Sequence, residues 1–418
     1  MAEKGKTTAR IVEEKEKRVM DAIRMKIPDR IPIICSMNYF PGRYVGIPFS
    51  AAYYDYDAWY RAYKKTLKDF INADFIFTQG FSSGKALEIL EPKNMRWPGY
   101  GVDPYHGHQS IEVDFMKEGD YDHYLEDPSD YGFRILLSRS SEHLAGLAMM
   151  PKLSDMSGAM GARMLAMVLT IPEVSHAIET LQKVGRESRK WQKRIEKFDQ
   201  MIVDMGFPRY FQGAAMPPFD VISHSMRGMQ GTMTDMFRQP DKLIAACEKI
   251  LELTMKRPLP PPNEFGNRRL FMTNTRGSDN FLSTPQFDKF YWPTFRKLVH
   301  WLVEQGTTPC IFFEGDFTSR LEYLLDFPKG SILVRLDASD IYKAKEVLKD
   351  HLCIQGNVPS TLLQSGTVQE VKDYCRDLID VIGKDGGFIL SNRSSTDEVN
   401  PENLKAMVDF TREYGVYR

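Results

Sequence analysis

The strongest constraint on this chain of 418 residues is an alternation: short apolar runs separated by stretches with helical periodicity. Eight runs have the length and apolar content of buried strands, at residues 29–35, 74–79, 208–214, 269–275, 308–314, 331–337, 351–357 and 387–392. Alternation of this kind builds βαβ units and a parallel sheet, and eight strands is the number that closes a barrel. The expected fold is therefore an α/β chain, a (β/α)8 TIM barrel with an N-terminal helical extension. Helix signals sit where that fold needs them. Phe287, Phe290, Tyr291, Phe295, Leu298, Val299, Leu302 and Val303 share one face, and Gly306 ends that helix. Thr367 and Glu370 form a T-x-x-E capping box for a helix closed by Gly383, and Asp340 caps the helix that runs to Leu348.

The connections are short except between the second and third strands, where residues 81–207 form an insertion. Its first half, rich in Gly, Pro, His and Tyr, reads as loops with a small β-excursion; its second half holds two helices, the later one long and charged over residues 173–205. The reading is of one domain over residues 1–418, with 81–207 an elaboration beside the barrel mouth. A formal net charge of −1 gives no electrostatic case for nucleic acid or an anionic membrane surface. No apolar stretch is long enough to span a bilayer, and the N-terminus lacks the apolar segment of a signal peptide. Five cysteines without CxxC spacing point to reduced thiols and a cytoplasmic setting.

In such barrels the chemistry gathers where strands end. The strand ends here supply Asn38, Gln79, Arg276, Glu314 with Asp316, Asp337, Asn357 and Asn392; the segment PPFDVISHSMRG adds Asp220, His224 and Arg227. Glu314 and Asp316 flank Gly315 directly after an apolar run, a pattern suited to proton transfer or a hard metal. Glu314 is expected to be the central catalytic group, with Asp316 tuning it and His224 a further acid, base or ligand. Arg276 and Arg227 suit a substrate carboxylate through their planar forks, and Asp337, Asn357, Gln79, Asn38, Arg43 and Asn392 complete the expected substrate-binding set. No metal site is assigned; if one exists, Glu314, Asp316 and His224 are its candidate ligands.

The segments PSDYGFRILLSR, PFDVISHSMRG, CIQGNVPSTLLQSGTVQEVKDYCRDLID and DGGFILSNRSSTDEVNPENLKAM resemble the uroporphyrinogen decarboxylase-like superfamily, and the similarity runs through nearly the whole chain. That resemblance implies a TIM barrel and one of two chemistries: decarboxylation of a tetrapyrrole, or methyl transfer linked to a corrinoid. The decarboxylase pattern is poorly matched. Its opening M-R-Q-A-G-R-Y appears here as Met37-Asn38-Tyr39-Phe40-Pro41-Gly42-Arg43-Tyr44, so only Arg43 survives of two arginines. Its aspartate after strand two is replaced by Thr78-Gln79-Gly80, its tyrosine aligns with His224, and its late histidine falls near Arg393 or Ser394. The zinc pattern of the thiol methyltransferases is also absent: its H-x-C positions hold Phe312 and Glu314, and its late cysteine falls near Ser394. The resemblance therefore implies a methyltransferase exchanging a methyl group with a corrinoid (cobalamin) protein and acting on a small-molecule substrate. It leaves the Cys2His zinc site absent and zinc itself undecided. The alternative is a lyase acting on a tetrapyrrole or other carboxylated compound, and a third reading is a non-catalytic tetrapyrrole or corrinoid binder. The reading admits a homodimer and expects neither nucleic acid nor membrane as partner.

Overall fold

The computed structural model describes residues 7–77, 81–393 and 396–417. Eight parallel strands occur in the expected chain order: β1 (Ile33–Ser36), β2 (Phe75–Phe77), β3 (Gly213–Ala215), β4 (Arg269–Asn274), β5 (Thr308–Phe313), β6 (Leu333–Leu336), β7 (Cys353–Val358) and β8 (Phe388–Asn392). They curl into one sheet in the spatial order 2-1-8-7-6-5-4-3. This is a TIM-barrel-like α/β fold. Among the described residues no ladder joins β2 to β3, where a fully closed barrel would have one. Aromatic rings span that seam instead: Phe75 meets Tyr210 at 5.1 Å and Phe77 meets Phe211 at 5.6 Å between centroids. The third strand is shorter than expected because Tyr210 and Phe211 lie outside the ladder.

The strand period of two sorts the residues cleanly. Ile34, Phe75, Cys310, Leu333, Cys353 and Ile389 form an inner apolar floor together with Tyr210. Helix α1 (Thr8–Ile23) packs Val19, Met20, Ala22 and Ile23 against this floor. It is tied down by buried ion pairs: Arg269 to Glu16 at 2.5 Å and Arg18 to Asp74 at 2.6 Å. The other strand faces join a larger cluster of buried side chains that runs from Ile31 to Val408. The expected caps are in place. Thr367 and Glu370 form the capping box of the helix Val368–Asp377, and the Asp340 carboxylate accepts from the backbone N–H of Tyr342 and Lys343. Gly306 takes φ +70°, which only glycine adopts without strain, just after the helix Trp292–Glu304.

The insertion contains a three-stranded sheet (Met95–Pro98, Gly101–Val102, Gln109–Ser110) followed by helices, the longest being Pro172–Asp204. That helix buries only Val174, Ala177, Thr180, Trp191, Met201 and Ile202, so its charges mark a solvated face. Among the described residues no single helix is long and apolar enough to cross a membrane, although the bent pair Gly158–Val168 and Pro172–Asp204 passes by length and composition.

Candidate functional site

On one side of the mouth, the chain segment after β3 meets the end of β4. The helical turn Pro218–Val221 and the wider turn Ile222–Met226 carry Asp220 and His224 four residues apart, on one side of one helix. Asp220 is buried. Its Oδ1 accepts from the backbone N–H of Arg276 at 2.9 Å, and its Oδ2 lies 2.5 Å from the Tyr291 hydroxyl. That phenol also lies 2.6 Å from Asn274 Oδ1. With the Asn274 amide so oriented, one phenolic proton faces two acceptors. Burial pushes the Asp220 carboxyl up to about 6, against the opposing hydrogen bonds from Tyr291 and the Arg276 backbone.

His224 is half-buried beside it. Its Nε2 lies 3.6 Å from Asp220 Oδ1, and its Nδ1 lies 3.5 Å from Arg276 Nη2. Burial, reinforced by the Arg276 charge, lowers the imidazole to about 4, so it is neutral near pH 7. An arginine only donates, so Nδ1 faces Arg276 as acceptor and the ring proton lies on the Asp220 side. The Arg276 guanidinium lies over the Phe281 ring at 4.8 Å and reaches Glu112 Oε2 at 3.4 Å. Glu112 belongs to the insertion and also accepts from the backbone N–H of Met229. The insertion thus supplies a charge to the mouth itself.

The remaining expected residues separate into different jobs. Glu314 sits at the rim, exposed, with Oε2 accepting from the Thr275 hydroxyl at 2.9 Å. Asp316 holds its own turn, its Oδ1 accepting from the Thr318 N–H at 2.9 Å and hydroxyl at 2.6 Å. The two carboxylates are thus held by separate partners, Thr275 and Thr318, and not by each other. Nor does Glu314 pair with Arg276, whose carboxylate partner is Glu112. Arg227 is buried, bound to Asp235 at 2.7 Å, to Asp114 at 2.8 Å and to the Met116 carbonyl at 3.4 Å; its fork is committed inside the protein. Asn392 stitches β8 to β1 through the Ser36 N–H and carbonyl. Asn357 accepts from Tyr374, and Asp337 from the Gly315 N–H. Asn38 adopts φ +26° after β1, and Arg43 is exposed on the short helix Phe40–Val45. Gln79 lies outside the described residues, as does Ser394. Among the described residues no three His, Cys, Asp or Glu side chains converge as metal ligands, and Glu314, Asp316 and His224 are not brought together as a set.

Two residues of evident chemical weight are not picked out by their sequence context. Tyr291 lies in the middle of an amphipathic helix and reads as core. Arg335 lies inside the apolar run SILVRLD, and a lone arginine there, flanked by residues of the opposite face, is the available signal.

The uroporphyrinogen decarboxylase family model matches residues 210–414. The uroporphyrinogen decarboxylase of Chlorobium phaeobacteroides is 27% identical over 140 residues, 32% of this chain and 39% of that protein. The enzyme of the same name from Chlorobaculum parvum is 31% identical over 110 residues, 25% of this chain and 30% of that protein. The match thus spans well under half the length of these curated relatives. A methyltransferase from Methanosarcina mazei superposes with a TM-score of 0.57 at 14% identity, over 96% of this chain and 98% of that one, a likeness of fold. Over residues 210–414 the chain is similar to the uroporphyrinogen decarboxylase family, and its fold is like that of the methyltransferase.

Proposed function

With that likeness as the premise, we propose that the chain is a methyltransferase that exchanges a methyl group with a corrinoid held by a partner protein, at the C-terminal mouth of the barrel. The observation that carries this reading is the Asp220–His224 pair. A buried carboxyl raised to about 6, lying 3.6 Å from an imidazole lowered to about 4, holds one proton at the mouth between those two pH values. Releasing a methyl group from oxygen or nitrogen leaves a poor leaving group that needs such a proton. His224, being half-exposed, meets the substrate; Asp220 acts through it as a positioning and proton-storing residue. Arg276 opposes a second proton on the imidazole and so keeps the pair singly loaded. Glu314 at the rim is a secondary group. A bound corrinoid would supply the cobalt for methyl exchange, and Met216, exposed just after β3, and the edge of His224 would be the residues facing it. All five cysteines are free, which accords with the proposed cytoplasmic setting.

The exposure of Arg43 weighs against tetrapyrrole decarboxylation, because the one matching arginine sits on the surface of a short helix. The test of the proposal is to mix the protein with cob(I)alamin and methoxylated or methylamine donors, or with methylcobalamin and acceptors, and follow the corrinoid spectrum. No donor-dependent spectral change, together with coproporphyrinogen formed from uroporphyrinogen, would replace this reading by the decarboxylase one.

Two smaller effects follow. Proton donation by the pair is lost as pH rises through the Asp220 value of about 6, so the rate should fall on that limb. Tyr291→Phe removes a hydrogen bond that lowers the Asp220 value, and the limb should move to higher pH; a limb that stays in place or moves down contradicts the assignment. Glu314→Gln should change turnover by less than about tenfold, since its carboxylate is exposed and bound only to Thr275. A larger loss measured at saturating substrate would return Glu314 to the centre of the mechanism.

A further inference from the structure

One layer above the apolar floor, the inward positions change character. Ser36, Phe77, Phe312, Arg335 and Gln355 stand two residues beyond the floor's Ile34, Phe75, Cys310, Leu333 and Cys353, and the ladder registers Phe312 against Arg335 and Arg335 against Gln355 on neighbouring strands. Arg335 is buried, only 7% exposed, yet among the described residues no carboxylate lies within ion-pair distance of it. The buried arginines on α1 and β4, Arg18 and Arg269, each have such a partner. Arg335 donates from Nη2 to Ser36 Oγ at 2.9 Å and to the Arg393 carbonyl at 3.3 Å, and among the described residues its buried Nε has no acceptor. The same condition recurs beside it. Gln355 accepts from Tyr210 at 3.0 Å, but among the described residues its buried Nε2 has no partner, and neither has the buried Ser391 hydroxyl on β8. Burying a charge and several donors without acceptors costs stability, and a fold keeps such a layer when a ligand completes it. The surroundings define that ligand's shape. The guanidinium lies 4.5 Å from the Phe312 ring centroid and 5.7 Å from that of Phe77, and Phe77 in turn meets Phe271 at 5.3 Å.

We propose that Arg335, with Gln355 and Ser391, binds the carboxylate of a flat aromatic substrate whose ring lies among Phe77, Phe271 and Phe312. This deepens the methyl-transfer reading by naming its small-molecule substrate as an aromatic carboxylate. A planar cation flanked by rings recognises a carboxylate attached to a ring, because the fork takes the oxygens while the phenyl faces take the apolar body. Arg335 keeps the charge that this contact needs, since burial lowers the guanidinium only to about 10.

The experiment is calorimetric titration of the protein with benzoate, and separately with anisole and acetate, in the absence of any corrinoid. Benzoate should bind, while anisole, lacking the charge, and acetate, lacking the ring, should each bind at least tenfold more weakly. Arg335→Met should weaken benzoate binding by about 10–100-fold, the loss expected for a charge-assisted contact. Gln355→Leu, which removes no charge, should weaken it several-fold and reads the same site should Arg335→Met not fold. Absence of benzoate binding to the wild-type protein at millimolar concentration overturns the inference, as does unchanged affinity in a folded variant. Because no methyl transfer is measured, the two proposals fail separately. Benzoate binding through Arg335 with no corrinoid chemistry removes only the methyltransferase reading. Methyl transfer without benzoate binding removes only this one.

Discussion

His224→Gln should lower methyl-transfer turnover by about 10²–10⁴-fold, the usual worth of a positioned acid–base group, with little change in melting temperature. The small stability cost follows from position: His224 is half-buried and holds no short hydrogen bond, its nearest partners lying 3.5 and 3.6 Å away. Contacts of that length tighten when substrate closes the geometry. Asp220→Asn should cost a comparable factor but differ in one respect. The amide cannot store a proton, so the falling limb above about pH 6 should vanish from the rate profile. Measuring kcat across pH for both variants, with melting curves on the same samples, separates this account from a structural one. A structural Asp220 would show a lowered melting point, an unchanged pH limb and near-normal turnover per folded molecule. That result, or a His224→Gln enzyme at full activity, would remove the pair from the chemistry.

The barrel was legible because its signals are local and repeated. Each inward floor residue alternates with one that faces the helices, and strand runs are followed by helices with their own caps, as at Thr367 and Asp340. The seam was not legible. Tyr210 and Phe211 look like strand residues, and only the assembled sheet shows their rings spanning the gap to β2. The site was legible as an address more than as a set of roles. Asp220, His224 and Arg276 do meet at the mouth, as strand-end positions imply. Arg227 and Asn392 share that address, but partners distant in sequence decide their use: Asp114 lies 113 positions from Arg227, and Ser36 lies 356 from Asn392. The carboxylates of Glu314 and Asp316 part for a related reason. Neighbours in sequence, they are drawn to Thr275 and Thr318 by separate hydroxyls. Arg335 shows the converse: its meaning lies in what it lacks, and a missing partner is visible only once the neighbours are in place.

The largest loss of stability should come from Asp74→Asn, at about 3–5 kcal/mol, because it leaves buried cations without their counter-charge. Asp74 stands just before β2, fully buried. Its carboxylate takes two bonds from Arg30, at 2.7 and 2.8 Å, one from Arg18 at 2.6 Å and one from the Ile33 N–H at 2.9 Å. Arg18 keeps a second carboxylate, Asp29 at 2.6 Å, whereas the other acceptor of Arg30 is the Ile31 carbonyl. An amide can accept at one atom only and carries no charge, so Arg30 is the group stranded. The damage would spread through α1, which carries Arg18 and packs Val19, Met20 and Ile23 on the barrel floor beneath Arg335. The pH dependence has a definite sign. Burial alone would raise the Asp74 carboxyl, but the Arg30 and Arg18 charges outweigh it and hold the group below the ordinary carboxylate range. A lowered value means the stabilisation is complete above the unfolded-state value of about 3.9 and is lost as pH falls below it. Denaturant unfolding of the wild-type protein should therefore weaken on going from pH 6 to pH 3, and the Asp74→Asn protein should weaken less over the same interval. Equal acid sensitivity in the two proteins, or a loss below about 1 kcal/mol at pH 7, would show that Arg18 and Arg30 find water or other acceptors, and that the pair is not what fastens α1 to the barrel.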